Sequence, residues 1–200
     1  MSGPRLIVPA LLFVLALSLA ACGGGDDPSD SDQITEVIQS SATSTDPADC
    51  SKLLTQQFME QTSFSKGKGA VKSCEDDADK TQGDPDSVEV SDVRVGGDTA
   101  LADAAFTGGN FDGSTLTVSL VKDGDQWQLD QILDIPSFNA QAFRDSLVQQ
   151  AEKDPSLRGQ VGQCVVQQFQ GASEQQIKAL IISGDEQSLV RLVAPCVPSG

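Results

Sequence analysis

The sequence predicts an α+β fold in which three helices pack on a curved four-stranded antiparallel sheet, followed by an all-α C-terminal module. Three observations support this prediction. Apolar residues recur with helical spacing up to residue 80, alternate with a period of two over 87–135, and return to helical spacing from residue 137. The changes of period divide the folded part into residues 31–136 and 137–200.

Capping residues and apolar faces predict the three N-terminal helices. The first begins with Ser31 or Asp32 as its N-cap. The second has Asp46 as its N-cap and Pro47 in the first helical position, and it buries Phe58. The predicted helical stretches are SDQITEVIQSSAT, DPADCSKLLTQQFMEQ and GAVKSCEDDADK.

Period-two alternation predicts four strands joined as a meander. The alternation changes phase at Ser91-Asp92, which indicates a β-bulge. The segment KDGDQ is predicted to be a hairpin turn centred on Asp123-Gly124, and the last strand is predicted to end before Pro136. The predicted strands are SVEVSDVRV, TALADAAF, STLTVSLV and QWQLDQILDI.

Four further helices are predicted in residues 137–200. The first has Ser137 as its N-cap, the third has Ser173 and Gln176 at capping-box spacing, and the last is stopped by Pro195. The predicted stretches are SFNAQAFRDSLVQQAEK, SLRGQVGQCVVQQFQ, SEQQIKALIISGD and DEQSLVRLVAPC.

The charge and the missing residue types exclude several classes of function. The chain has a formal net charge of −16, which repels nucleic-acid phosphates and anionic lipid head groups. It contains no histidine and no tyrosine, so the usual general base and the commonest transition-metal ligand are both missing. We therefore expect no nucleic-acid partner, no metal, no cofactor and no enzymatic activity.

Residues 1–21 have the anatomy of an export signal. Arg5 supplies the positive charge, an apolar run extends over residues 6–19, and Ala20-Ala21 close the segment with small side chains. The run is shorter than the ~20 residues that a transmembrane helix needs.

The tetrapeptide Leu19-Ala20-Ala21-Cys22 resembles the lipobox of bacterial lipoproteins. In that family the cysteine is acylated, with palmitate among the acyl chains, and the peptide is cut just before it. The resemblance implies that Cys22 is the lipid-attachment site and anchors the protein to the outer face of the cell membrane. The alternative is an ordinary signal peptide followed by a chance cysteine. Residues 22–30, rich in Gly and Asp, are predicted to be a flexible acidic tether.

The other four cysteines form two pairs of near neighbours in the sequence. With Cys22 acylated, an even number remains, and we predict the disulfides Cys50–Cys74 and Cys164–Cys196. A metal site is the alternative, but two thiols without histidine make a poor zinc site. Export to an oxidising compartment favours disulfides.

Helices followed by a meander that ends in DGDQWQLDQI resemble the cone-shaped superfamily of nuclear transport factor two and ketosteroid isomerase. The resemblance covers residues 30–136, and the stretch Asp123–Leu129 matches the recurrent "dGdgWkv" hairpin of small secreted bacterial lipoproteins. It implies a cone with a pocket between its sheet and helices. Residues 137–200 resemble small Cys-paired helical modules appended to secreted actinobacterial proteins.

Four residues are candidates for the lining of that pocket: Phe58, Asp103, Phe106 and Trp127. Asp103 shares a strand face with Leu101, so it would be an internal acid if that face lined the pocket. The other interpretation, which we favour, places Asp103 on the solvated convex face. The tyrosine that the isomerase active site needs is missing from this chain.

Two functional hypotheses follow. The first is a membrane-anchored extracytoplasmic lipoprotein of the cell envelope that acts as a non-catalytic binding or protein-interaction module, for a small apolar ligand or an envelope protein. The alternative is a cone-fold enzyme, isomerase-like or hydrolase-like, that uses an internal carboxylate such as Asp103.

Overall fold

The computed structural model describes residues 28–78, 80, 83–153 and 159–196. Its helices and strands, in chain order, are α1 Asp30–Thr43, α2 Asp49–Leu53, α3 Gln56–Ser63, α4 Lys68–Asp77, β1 Ser87–Gly96, β2 Thr99–Thr107, β3 Thr115–Asp123, β4 Gln126–Ser137, α5 Ala140–Lys153, α6 Gln160–Gly171, α7 Glu174–Ser183 and α8 Glu186–Val193.

The predicted signal peptide 1–21, Cys22 and the tether up to residue 27 lie outside the described residues. Within the part that the structure describes, no helix is both long enough and apolar enough to cross a membrane.

The α+β class is confirmed, with N-terminal helices, a four-stranded antiparallel sheet and C-terminal helices. The strands pair in the order β1-β2-β3-β4, so the sheet is an open meander with β1 and β4 at its edges. The bulge is confirmed, because the pairing of β1 with β2 shifts between Ser91 and Arg94 and Asp92 has a φ of +50°.

Four N-terminal helices replace the three predicted from the sequence, because the second predicted helix is interrupted at Leu54. Leu54 is extended and forms a parallel bridge with Leu129, and the N–H of Thr55 donates to the carbonyl oxygen of Leu129 over 2.8 Å. The backbone of Leu54 and Thr55 therefore pairs with the edge strand β4 instead of continuing the helix. Thr55 then caps α3 by accepting a hydrogen bond from the N–H of Phe58.

Two helix starts differ from those predicted. Helix α1 begins after Ser29, which forms a capping box with Asp32, so neither Ser31 nor Asp32 is the N-cap. Helix α2 begins at Asp49, and Asp46 instead accepts a hydrogen bond from the N–H of Ala48 over 2.9 Å in the preceding turn.

The end of the sheet also differs from the prediction. Strand β4 continues through Pro136 to Ser137, which pairs with Thr115. Proline is tolerated here because β4 is an edge strand, where a missing N–H need not break the sheet. Ser137 is therefore not an N-cap, and Asn139 caps α5 by accepting from the N–H of Ala142 over 3.1 Å.

The hairpin turn is shifted by one residue from its predicted centre. Asp123 pairs with Gln126 at the ends of β3 and β4, so the two turn residues are Gly124 and Asp125. Gly124 has a φ of +61°, which glycine adopts without steric cost.

The C-terminal helices follow the predicted pattern over the described residues; residues 156–158 of the second lie outside them. Ser173 and Gln176 form the predicted capping box at the start of α7. Helix α8 ends at Val193, and a short 3-10 turn, which contains Pro195, follows it.

One hydrophobic core joins the two predicted parts of the chain. The inner face of the sheet packs against Ile34 and Ile38 of α1 and against Ile177 and Ile181 of α7. Buried residues from both 31–136 and 137–200 thus belong to one cluster, and the boundary between the two parts stays a prediction. The sheet contributes Val88, Ala100, Ala102, Ala104, Leu116, Val118, Leu120, Trp127, Leu129, Ile132 and Ile135.

Both predicted disulfides are confirmed. Cys50–Cys74 joins α2 to α4, and Cys164–Cys196 joins α6 to the 3-10 turn after α8. Each bridge joins two helical segments and restricts the conformations of the unfolded chain.

Candidate functional site

A cleft of about 240 Å³ lies where α3 and β4 meet the C-terminal helices. Its lining comes from both sides of the predicted boundary between 31–136 and 137–200. The lining residues are Gln61, Thr62, Phe64, Asn110, Phe111, Ile132, Phe143, Leu147, Phe169, Leu180 and Ile181.

The floor of the cleft consists of the buried lining residues Gln61, Ile132, Leu180 and Ile181. Gln61 is only 5% exposed, and its Nε2 donates to the carbonyl oxygens of Ile132 at 2.8 Å and Ile182 at 2.6 Å. Its Oε1 accepts from the N–H of Ile132 at 2.8 Å. One side chain thus connects α3, β4 and α7, and both of its amide donors are used.

The close contact of α3 with the end of α7 depends on Gly184. Gly184 follows α7 with a φ of +55°, in the left-handed region that favours glycine. A Cβ at this position would lie 2.4 Å from the Cα of Gln61. The absence of a side chain therefore allows Gln61 to reach the carbonyl oxygen of Ile182.

Four phenylalanines form the walls of the cleft, and each is half-buried rather than buried. They are half of the eight phenylalanines in the chain. Two further rings pack on them with centroids 5.7–5.8 Å apart, an ordinary spacing for aromatic pairs. The wall residues are Phe64, Phe111, Phe143 and Phe169, and the supporting rings are Phe106 and Phe138.

Phe64 has an unusual backbone for an aromatic residue. It caps the C-terminus of α3 with a φ of +53°, in the left-handed region that non-glycine residues rarely adopt. The segment that follows is held by Glu60, whose carboxylate accepts from the N–H of Gly67 at 2.8 Å and binds Lys66 Nζ at 3.2 Å. These contacts fix the turn from which the Phe64 ring reaches the cleft.

Three hydrogen-bond donors stabilise the charged form of Glu60. Gln56 Nε2 donates to its carboxylate at 2.8 Å, and the Gly67 N–H and Lys66 add to this. Together they lower the pKa of Glu60 to about 2, with the hydrogen bond from Gln56 as the largest cause. The carboxylate therefore stays ionised at acid pH values that would protonate an ordinary glutamate.

The structure does not bring the four predicted pocket residues together, and none of them lines this cleft. Phe58 and Phe106 are half-buried against the main core, and Phe106 reaches the cleft indirectly through its contact with Phe111. Trp127 is 2% exposed in the core, and its Nε1 donates to Asp30 Oδ1 at 3.0 Å.

Asp103 lies on the face of β2 opposite the core. Its neighbours Ala102 and Ala104 are fully buried, whereas Asp103 is half-buried and accepts a hydrogen bond from Thr117 Oγ1 at 2.7 Å. Leu101 shares this outer face, and neither Leu101 nor Asp103 lines the cleft.

Two other recesses have more polar linings than the cleft. One of about 290 Å³ lies beside the Cys50–Cys74 bridge and carries four aspartates, of which Asp84 has a pKa raised by burial. The other, of about 560 Å³, is a groove along α6, α7 and α8 with Gln168, Gln176 and Arg191 in its lining. Among the described residues, no group of three or more acidic, His or Cys side chains could hold a metal ion.

Sequence patterns did not identify the cleft, because its lining comes from α3, β4, α5, α6 and α7 and from the turns that carry Phe64 and Phe111. Phe143 and Phe169 have ordinary helical spacing in their own segments, and Phe64 and Phe111 lie in turns, where no periodicity marks them. The one available signal is that α5 and α6 each carry a single phenylalanine, Phe143 and Phe169, in a chain poor in aromatic residues.

Comparisons with protein-family models, curated proteins and solved structures find no match for this chain. The function is therefore inferred from the geometry of the cleft and from the sequence.

Proposed function

We propose that this protein is a lipid-anchored extracytoplasmic lipoprotein that acts as a non-catalytic binding module and holds a small apolar ligand in the cleft. The observation that carries the proposal is the set of four half-buried phenylalanine walls above a buried floor of three apolar side chains and Gln61. Ligand sites are typically concave and mostly apolar, with a few polar groups, and this cleft has that composition.

The walls explain why an occupant would be favoured. Apolar surface contributes about 25 cal/mol per Å² when it leaves water, and aromatic side chains have the largest areas to contribute. The rings around the cleft are still partly exposed to water. An apolar molecule that enters the cleft would remove more of their surface from water, and binding would gain this free energy.

The volume of the cleft limits the size of the ligand. A cavity of about 150 Å³ accepts benzene. The cleft measures about 240 Å³, which suits a fused two-ring compound or the end of a short acyl chain. Larger lipids would have to leave most of their chains outside.

The membrane location is supported by the export signal, by Cys22 and by the two disulfides. Disulfides persist in oxidising compartments outside the cytosol. Two acyl chains anchor a protein stably where one is marginal. The net charge of −16 would keep the folded part away from anionic head groups, so the cleft would stay open to solvent.

We further propose that residues 30–136 are related to the cone superfamily. This relationship is supported by the order of helices and four-stranded meander and by the hairpin at Gly124-Asp125. The inner face of the sheet is covered by isoleucines of α1 and α7, which is why we place the ligand in the cleft beside β4.

A fluorescent apolar probe tests the proposal. We expect N-phenyl-1-naphthylamine to bind the purified protein saturably, with its naphthyl ring in the cleft and one probe per chain. Leu147 lies in the lining of the cleft, and the larger side chain of Leu147→Trp should fill the cleft and abolish binding. Val190→Trp is the matched control, because Val190 is 54% exposed and lies outside the cleft. Equal binding by Leu147→Trp and the wild type would contradict the proposal.

A further inference from the structure

The floor of the cleft has no hydrogen-bond donor left for a ligand. Ile132, Leu180 and Ile181 contribute hydrocarbon side chains. Gln61 is the floor's polar side chain, and both hydrogens of its Nε2 are already directed at the carbonyl oxygens of Ile132 and Ile182. A ligand oxygen placed on the floor would lose its bonds to water and gain none.

The rim of the cleft differs from the floor. Thr62 is exposed, and Asn110, the other polar lining residue outside the floor, is half-buried. A polar group at this level keeps its contact with water, so it needs no vacant partner in the protein. The cleft is therefore apolar at one end and hydrated at the other.

We propose that the cleft selects ligands with one purely apolar end, which lies on the Ile132, Leu180 and Ile181 floor, and confines polar groups to the rim at Thr62 and Asn110. This inference rests on the proposed function and adds the class and orientation of the ligand. It describes a monofunctional amphiphile or a singly substituted ring and excludes molecules with an acceptor at each end.

Two ketones of equal chain length test the orientation by direct calorimetry on the whole protein. Octan-2-one has one acceptor and one apolar end, whereas octane-2,7-dione has an acceptor at each end. We expect the dione to bind at least about tenfold more weakly, because one carbonyl would be buried without a donor. Equal affinities, or no binding of octan-2-one, would overturn the inference.

The outcomes separate this inference from the proposed function. If N-phenyl-1-naphthylamine binds and the two ketones bind equally, the cleft is a ligand site without the proposed polarity. If neither the probe nor octan-2-one binds, both fail.

A variant of the floor gives a second measurement. Ile181→Thr adds a hydroxyl donor to the floor, so the preference for octan-2-one over the dione should shrink several-fold. Val190→Thr makes a comparable change outside the cleft and should leave the preference unchanged. An unchanged preference in folded Ile181→Thr would contradict the proposed orientation. If that variant does not fold, the ketone pair on the wild type still decides the question.

Discussion

The indole N–H of Trp127 donates to the carboxylate of Asp30 at 3.0 Å, which joins the first residues of β4 to the first turn of α1. Lys122 Nζ binds the same Asp30 oxygen at 2.8 Å and lies 5.4 Å from the centroid of the Trp127 ring. Because Asp30 is the first residue of α1, this cluster fixes the place where the predicted tether enters the fold.

Removing the Asp30 carboxylate should weaken the fold in two steps. Asp30→Asn keeps an acceptor for Trp127 but loses the charge that binds Lys122, and Asp30→Ala loses both. We expect the urea midpoint to fall from wild type to Asn and again to Ala. Glu36→Gln, at an exposed position of the same helix, is the control and should leave the midpoint unchanged. Equal midpoints for wild type and Asp30→Ala would show that the cluster adds nothing to stability.

Glu60 should make stability depend on acid pH. Its pKa is about 2 in the folded state, below the value of about 4.3 expected when unfolded, so folding favours the ionised form. This contribution is complete above about pH 4.5 and is lost as the pH falls towards 2. Glu60→Gln should be less stable than wild type at pH 6, with a smaller difference at pH 3, by urea unfolding. A pH-independent difference would contradict this origin.

Gly184→Ala should destabilise the protein by more than its backbone conformation alone requires. A left-handed alanine costs about 1 kcal/mol, and the new Cβ would also press on the backbone of Gln61. Gly97→Ala isolates the first cost, because Gly97 has a φ of +66° and nothing within 4 Å of its Cβ position. We expect Gly184→Ala to have a lower thermal unfolding midpoint than Gly97→Ala. The reverse order would mean that α7 can shift away from α3.

Two substitutions of Phe64 separate its ring from its backbone. Both Phe64→Ala and Phe64→Gly remove a wall of the cleft and should weaken probe binding to a similar extent. Glycine also relieves the left-handed conformation, so Phe64→Gly should be more stable than Phe64→Ala by about 1 kcal/mol. Chemical unfolding measures this difference. If alanine were the more stable of the two, the turn would have changed its conformation.

Local pattern explains where sequence reasoning succeeded. Strands with one buried face alternate with a period of two, so β1 to β4 and the bulge at Ser91 could be predicted. The capping box of Ser173 and Gln176 involves groups three residues apart and needs no distant contact. The two disulfides link cysteines only 24 and 32 residues apart in the sequence.

Contacts between residues far apart in the chain explain where the predictions from sequence were wrong. The helix predicted across Leu54 is interrupted because the edge of β4, far along the chain, offers Leu129 as a backbone partner. Strand β4 passes through Pro136 because its position at the sheet edge makes the missing N–H harmless. Neither circumstance can be read from the residues next to Leu54 or Pro136.

The sequence by itself determined the α+β class, the order of the elements and the cysteine pairs, because these depend on periodicity and on neighbours along the chain. It also carries the short linear motif Leu19-Ala20-Ala21-Cys22, which resembles a lipobox. Only the tertiary structure decided where an apolar ligand could lie. The cleft exists because Gln61 and Gly184 bring α3, β4 and α7 together and leave four phenylalanines half-covered, and that is a property of packing between residues far apart in the chain.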